Sequence, residues 1–232
     1  MVSSALVEQV IQIISYVVPM LLSLTVHEYS HARVAYWLGD DTASMQGRLT
    51  LNPLAHADPI GTFLMPVLAQ LSGGLPLIGW AKPVPVNPAR FSRRVSMHLG
   101  MAVTAAAGPI SNLILMMLAA GGMRILFSVS PEAFLPPDPG VAMSPAQTGA
   151  HLLIILAFMN AGLAVFNLLP VPPLDGSRLL PRSFQEMLAP LQMFSYVLLM
   201  AVVAFASPVI RVPIRFLLRG ALWITGFPVE GL

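Results

Sequence analysis

Long uncharged stretches dominate this sequence and constrain its fold more than any other feature. Only 9% of the 232 residues are charged, whereas soluble domains carry roughly 25%. A stretch of about 20 apolar residues is long enough to cross a bilayer as a helix. The uncharged stretches cover residues 9–26, 59–81, 99–123, 139–174 and 187–210. A water-soluble globule is therefore not expected, and an integral membrane protein is predicted.

These stretches predict an all-α polytopic membrane protein with about four to six transmembrane helices. The first stretch has no positive charge ahead of it and no small-residue cleavage site after it, so we interpret it as a retained helix rather than a signal peptide. The predicted helices cover Val7–Leu38, Val95–Phe127, His151–Leu169 and Pro190–Ala206. We expect one membrane-embedded domain over residues 1–232, with a core at about 7–182 and C-terminal helices at about 187–226.

The connection between the first two of these helices has an irregular pattern. Arg48–Leu51 alternates polar and apolar residues and could form a short strand. Ile60–Ile78 is apolar but is interrupted by Pro66, Gly73, Gly74 and Pro76, and the Pro-rich segment Gly79–Asn87 follows it. We interpret this region as a re-entrant or β-like element that enters and leaves on one side, which membranes tolerate where irregular backbone is buried in protein. A full crossing by residues 60–78 is the alternative.

Near the C-terminus, Arg211, Arg215 and Arg219 recur at every fourth residue among apolar side chains. This pattern is typical of an amphipathic helix at the membrane surface, or of a last, imperfect span. The sequence leaves both interpretations of residues 208–226 open.

Basic residues predict how the helices are oriented. The connection 128–150 contains no Lys or Arg. Cytoplasmic loops are enriched in these residues, so the loops that carry them are expected inside the cell. The basic loop residues are Arg48, Lys82, Arg90, Arg93, Arg94, Arg178 and Arg182. With a re-entrant 60–78 segment, the predicted helices Val7–Leu38 and His151–Leu169 run parallel, and their C-terminal ends meet near the cytoplasmic face.

The first predicted helix contains His27-Glu28-Tyr29-Ser30-His31, an H-E-x-x-H pattern. Two histidines one helical turn apart present their imidazoles to a single metal ion, and the glutamate beside them is the general base of metalloproteases. Ionisable residues within a membrane helix are costly, and a bound divalent cation explains three of them together. Zinc fits nitrogen and oxygen donors, although iron or another metal remains an alternative.

A catalytic zinc site needs a third protein ligand, and the chain has no cysteine to supply one. Asp175 is the acidic residue placed at the end of a long apolar helix on the predicted side of the membrane. Three prolines precede it and prevent regular helix, so the chain can turn the carboxylate toward the first helix. Asp175 is therefore the predicted third ligand, with a solvated loop aspartate as the alternative.

Taken together, these motifs resemble the site-2 protease family of intramembrane zinc metalloproteases. The resemblance covers about residues 22–180 and includes H-E-x-x-H, the Gly79–Asn87 segment, Gly108-Pro109-Ile110-Ser111-Asn112 and the Asn167–Gly176 segment. It implies that His27, His31 and Asp175 bind one zinc ion per chain and that Glu28 activates water. It also implies that Asn112 and Asn167 contact the substrate or its oxyanion. The chain resembles a short form without a PDZ or CBS domain.

From the residues alone, Asn112 and Asn167 could instead be interhelical hydrogen-bonding groups, and Asn160 is assigned to packing. The function predicted from the resemblance is hydrolysis of transmembrane protein substrates within or near the bilayer. A multi-pass location in a prokaryotic inner membrane is expected, with the active site toward the cytoplasm. The net charge of +2 gives no reason to expect a nucleic-acid partner.

Three alternatives differ in chemistry from intramembrane proteolysis. A zinc transporter or zinc-binding membrane protein would need ligands distributed along a pathway. A non-proteolytic scaffold would need neither Glu28 nor Asp175. A membrane metalloprotease acting on soluble peptides would use the same site residues.

Overall fold

A computed structural model of the chain describes residues 4–65, 67–68, 79–137, 141–195, 197–198, 201 and 207–228. Its regular structure is helical, which confirms the predicted all-α class. The four long helices are α1 (Ser4–Trp37), α2 (Met97–Val129), α3 (Pro145–Asn167) and α4 (Ser207–Thr225). Short α-helices cover Thr42–Met45, Pro53–His56, Gly176–Leu179 and Arg182–Leu188. A π-helix covers Pro59–Leu64, and 3-10 helices cover Pro88–Arg90, Pro131–Phe134 and Ala189–Phe194.

Three of the long helices are long and apolar enough to cross a membrane. They are Val10–Trp37 within α1, and the whole of α2 and α3. By contrast, α4 carries Arg211, Arg215 and Arg219 and is not among the described helices that qualify. The predicted count of four to six spans stays a prediction, because residues 69–78 and much of 196–206 lie outside the described residues.

Local sequence signals explain where the spans begin. The prediction for α2 was accurate to two residues, and Ser96 caps this helix by accepting a hydrogen bond from the backbone of Leu99. The start of α3 lies six residues before the predicted His151. Ser144 and Gln147 form a capping box, and Pro145 occupies the first helical position. That arrangement is a sequence-level helix start, and the apolar pattern alone did not reveal it.

Contacts between the spans define their relative directions. His27 and His31 of α1 contact Asn112 and Thr104 of α2 respectively, so these two helices are antiparallel. Asn160 of α3 contacts Ser23, and the chain beyond α3 reaches the level of His27 and His31. Helices α1 and α3 are therefore parallel, as the sequence predicted.

The connection between α1 and α2 contains no strand at Arg48–Leu51, so this expectation was wrong. The segment is irregular, since the backbone N–H of Arg48 bonds Ala43 and the Thr50 carbonyl accepts a hydrogen bond from His56 instead of from a neighbouring strand. Within the described residues, β pairing is limited to one antiparallel bridge between Ala57 and Ala81. Most of the predicted re-entrant segment 60–78 lies outside the described residues, apart from the π-helix and residues 65 and 67–68.

Helix α4 packs lengthwise on α2 and α3. Its Ile214, Ala221 and Leu222 join a buried apolar cluster with Met123 of α2 and Ala161 of α3. The predicted helix Pro190–Ala206 begins as the 3-10 helix Ala189–Phe194, and much of its remainder lies outside the described residues.

Candidate metal centre

Helix α1 places its two histidines at the centre of the three spans. His27 and His31 lie one turn apart and are 5% and 7% exposed. Their Nε2 atoms are 3.0 Å apart. Nδ1 of His31 lies 2.7 Å from the backbone oxygen of Thr104, which can only accept a hydrogen bond. His31 therefore carries its proton on Nδ1, which leaves Nε2 with a free lone pair.

Asp175 reaches this pair from the loop that follows α3. It precedes the short helix Gly176–Leu179 but does not cap it with its side chain. The loop folds back tightly at Gly176, where an added Cβ would lie 2.2 Å from the backbone oxygen of Leu168. The absence of a side chain at Gly176 thus allows the turn that directs Asp175 toward α1.

The Asp175 carboxylate completes a three-atom cluster. Its Oδ2 lies 3.3 Å from Nε2 of His27 and 3.2 Å from Nε2 of His31, and it is buried without a hydrogen-bond partner. Burial by itself would raise the pKa of this carboxyl, but the two adjacent imidazoles outweigh burial and hold the pKa below its usual range. The group is therefore a carboxylate at neutral pH.

These three atoms could hold one metal ion. Ligands about 2.1 Å from a tetrahedral zinc lie about 3.4 Å from one another. The observed separations of 3.0, 3.2 and 3.3 Å are close to that geometry. Free lone pairs brought this close repel one another unless a cation lies between them. The donor set and its unpartnered oxygen therefore fit a zinc ion.

One face of helix α2 packs against the two histidines. Thr104 bonds His31, Asn112 bonds His27, and Gly108 lies between them along the helix. A Cβ at Gly108 would lie 2.4 Å from Nε2 of His31 and 2.6 Å from Nε2 of His27. The close approach of α2 to α1 at Gly108 is therefore an approach to the two candidate ligands themselves.

Glu28 is partly buried beside the cluster and is fixed by backbone. Its Oε2 accepts a hydrogen bond of 2.9 Å from the N–H of Val84. Farther along the same segment, the N–H of Asn87 donates to Asp40 at 2.6 Å. Two acidic groups, one within α1 and one just beyond its end, thus hold residues 84–87 next to the site. No sequence pattern pointed to Val84, because the group involved is its backbone N–H.

The two asparagines predicted to contact substrate occupy different surroundings. Asn112 is fully buried, with its oxygen 2.6 Å from Nδ1 of His27 and its nitrogen donating to Asn160. Asn167 is partly buried at the end of α3, and its nitrogen donates to the Leu163 carbonyl of the same helix. Substrate contact by either residue stays a prediction. Asn160, which was assigned to packing, is connected to the site by its hydrogen bond with Asn112.

Comparison with known proteins gives relatives of one kind. The chain is 39% identical over 165 residues to "Putative zinc metalloprotease YwhC" of Bacillus subtilis, which covers 71% of this chain and 66% of that protein. It is 34% identical over 196 residues to "Putative zinc metalloprotease Rip2" of Mycobacterium tuberculosis, with 82% of this chain and 66% of that protein covered. The Rip2 protein of Mycolicibacterium smegmatis is 31% identical over 89% of this chain and 71% of its own length.

The chain belongs to the site-2 protease family. It spans 66% of the length of the first two relatives. No family model and no solved structure matches it. The resemblance to site-2 proteases predicted from the motifs is thereby confirmed, and the zinc in the relatives' names agrees with the donors found here.

Proposed function

We propose that this chain is a zinc-dependent endopeptidase that cleaves transmembrane protein substrates within or near the bilayer, in the manner of regulated intramembrane proteolysis. The observation that carries the proposal is the convergence of three lone-pair atoms from His27, His31 and Asp175 within 3.3 Å of one another. These residues would hold one zinc ion per chain. A zinc ion bound there polarises a carbonyl and makes water more acidic.

The chain's own residues supply the proton transfers. Glu28 accepts a proton from the attacking water as the water oxygen bonds the peptide carbon. When the peptide C–N bond breaks, Glu28 delivers that proton to the departing amine. The Val84 N–H holds Oε2 of Glu28, so the other carboxylate oxygen, Oε1, is the one assigned to the water.

Substrate binding is assigned to two regions. A helical substrate must unwind before cleavage, because its amides are otherwise bonded to one another. The Lys82–Asn87 segment next to Glu28 is the proposed surface for the unwound strand, whose amides would donate to backbone carbonyls of this segment. Asn167 is proposed to contact the substrate or its oxyanion.

The experiment compares Glu28→Gln with Asp175→Ala. Zinc content and cleavage of a transmembrane-helix substrate in liposomes are measured on the same preparations. Glu28→Gln is expected to keep its zinc and lose about 10² to 10⁴ in cleavage rate, because the amide keeps the shape but not the basicity. Asp175→Ala is expected to lose zinc as well, because only two protein ligands remain.

Each outcome separates the function from its alternatives. A zinc transporter or a scaffold needs no base, so a zinc-loaded Glu28→Gln protein that behaves like the wild type would overturn the proposal. Cleavage of a soluble peptide at the same rate as the membrane substrate would replace the proposed substrate class.

A further inference from the structure

A chain of buried hydrogen bonds leads away from the metal centre into α3. His27 Nδ1 lies 2.6 Å from the oxygen of Asn112, and the Asn112 nitrogen donates to the oxygen of Asn160 at 2.7 Å. The Asn160 nitrogen donates to the Leu156 carbonyl and to Ser23 Oγ, each at 2.8 Å. Neither asparagine is exposed to any extent. Three spans are therefore joined by one polar path.

The Leu156 carbonyl at the far end of this path determines which group donates and which accepts in each hydrogen bond along it. A backbone carbonyl can only accept a hydrogen bond, so the group of Asn160 that faces Leu156 must be its NH₂. The Asn160 oxygen then faces Asn112 and can only accept, so Asn112 turns its NH₂ toward α3. This leaves the Asn112 oxygen toward His27, which must place its proton on Nδ1. Nε2 of His27 consequently keeps the lone pair that a metal requires.

We infer that Asn160 is a positioning residue for the metal site, which fixes the orientation of Asn112 and through it the tautomer of His27. The inference rests on the metal site proposed above and deepens it. For Asn112 it replaces the substrate contact implied by the family resemblance with hydrogen bonding to the ligand His27. Histidine ligands commonly donate a hydrogen bond from their second ring nitrogen to an oxygen, which fixes the orientation of the ring. Loss of such a partner costs about 10- to 100-fold in metal affinity.

Zinc affinity, measured by competition with a chelator in detergent, tests each link of the path. Asn112→Leu removes the acceptor for His27 and is expected to lower zinc affinity about 10- to 100-fold. Asn112→Asp keeps an acceptor there and is expected to retain zinc. Asn160→Leu changes neither His27 nor Asn112, whose oxygen bonds that histidine. It is nevertheless expected to lower zinc affinity, because Asn112 is then free to turn its NH₂ toward the imidazole of His27.

Ser23→Ala is the matched control for Asn160→Leu. It also removes a hydrogen bond of Asn160, but the Leu156 carbonyl still fixes the direction of the amide. The expected zinc affinity of this variant is that of the wild type. Equal losses in Ser23→Ala and Asn160→Leu would show that packing, and not direction, matters, and would overturn the inference.

A double variant distinguishes orientation from structural damage. In Asn112→Asp with Asn160→Leu, both oxygens at position 112 are acceptors, so turning the group changes nothing. Zinc affinity is expected to recover relative to Asn160→Leu alone, which damage to the fold would not allow. Failure of this rescue, or wild-type affinity in Asn112→Leu, would overturn the inference while wild-type zinc binding stands. Absence of zinc binding in the wild type would instead overturn the proposed function.

Discussion

At the scale of single residues, Gly108 leaves no room for a side chain beside the two candidate histidine ligands. The Nδ1 atoms of both imidazoles are hydrogen-bonded to α2, so the rings cannot move away from a methyl group added at this position. Gly108→Ala is therefore expected to lower zinc affinity about 10- to 100-fold, as loss of a supporting group does. The measurement is chelator competition on purified protein.

Gly121→Ala is the matched control in the same helix, since its Cβ would meet nothing within 4 Å. Ala replaces Gly in a helix at a gain of up to about 1 kcal/mol, so this variant should bind zinc normally and be no less stable. Wild-type zinc affinity in Gly108→Ala would show that the rings have space that the structure does not give them.

A second residue-scale prediction concerns the hydrogen bond between Val84 and Glu28. Val84→Pro removes the N–H that holds Oε2, in a segment where Pro83 and Pro85 already flank the position. Hydrogen bonds to charged groups contribute about 1.5–3 kcal/mol, so the cleavage rate should fall about 10- to 100-fold while zinc content is retained.

Val84→Ala provides the comparison, because it shortens the side chain and keeps the N–H. It should cleave at close to the wild-type rate. Equal losses of cleavage in the two variants would assign the effect to the Val84 side chain and remove the N–H from the account.

The sequence revealed residues that act through side chains in recognisable spacing. His27, Glu28 and His31 follow a pattern with a chemical reason, and Asp175 was found by combining the absence of cysteine with the charge of the loops. Val84 acts through its backbone, and Asn160 acts through a partner 48 residues away. Neither signal exists in the local sequence, because both depend on which helices lie side by side.

At the scale of elements, the loop after α3 depends on the close approach at Gly176. A Cβ there would lie 2.2 Å from the Leu168 oxygen and 2.5 Å from the Leu169 oxygen, and these backbone atoms cannot rotate away. Gly176→Ala should therefore open the loop, withdraw Asp175 and reduce both zinc content and thermal stability. Zinc analysis and thermal unfolding in detergent measure the two effects.

Gly149→Ala in α3 is the corresponding control, because its Cβ would make only an ordinary contact of 3.8 Å with Leu126. It should match the wild type in both measurements. Full zinc content in Gly176→Ala would mean that the loop can hold Asp175 in another conformation.

The ends of elements were less predictable than their existence. Apolar runs located the spans, since a helix in a bilayer must bond its own backbone and expose apolar side chains. They could not locate the start of α3, which is set by the polar residues Ser144 and Gln147 outside the apolar run. The strand predicted at Arg48–Leu51 failed because alternation over four residues also occurs in irregular chain whose polar groups bond locally.

At the scale of the whole molecule, the relative directions of the spans can be converted into a membrane topology. The contacts make α1 and α3 parallel and α2 antiparallel to both. The α1–α2 connection and the α2–α3 connection therefore lie at opposite ends of the bundle. The first carries Arg48, Lys82, Arg90, Arg93 and Arg94, whereas residues 128–144 contain no basic residue. By the positive-inside rule, we propose that the first connection and the metal centre face the cytoplasm.

Single cysteines test this topology, because the chain has none of its own. Ala89 and Pro136 are exposed and lie in the two connections, so Ala89→Cys and Pro136→Cys alter neither the candidate site nor the core. In intact bacterial cells, a membrane-impermeant thiol reagent should label Pro136→Cys only, and Ala89→Cys should react only after the cells are opened. Labelling of Ala89→Cys but not of Pro136→Cys from outside would place the Lys82–Arg94 cluster on the external face. Labelling of both from outside would mean that α2, which separates the two positions, does not cross the membrane.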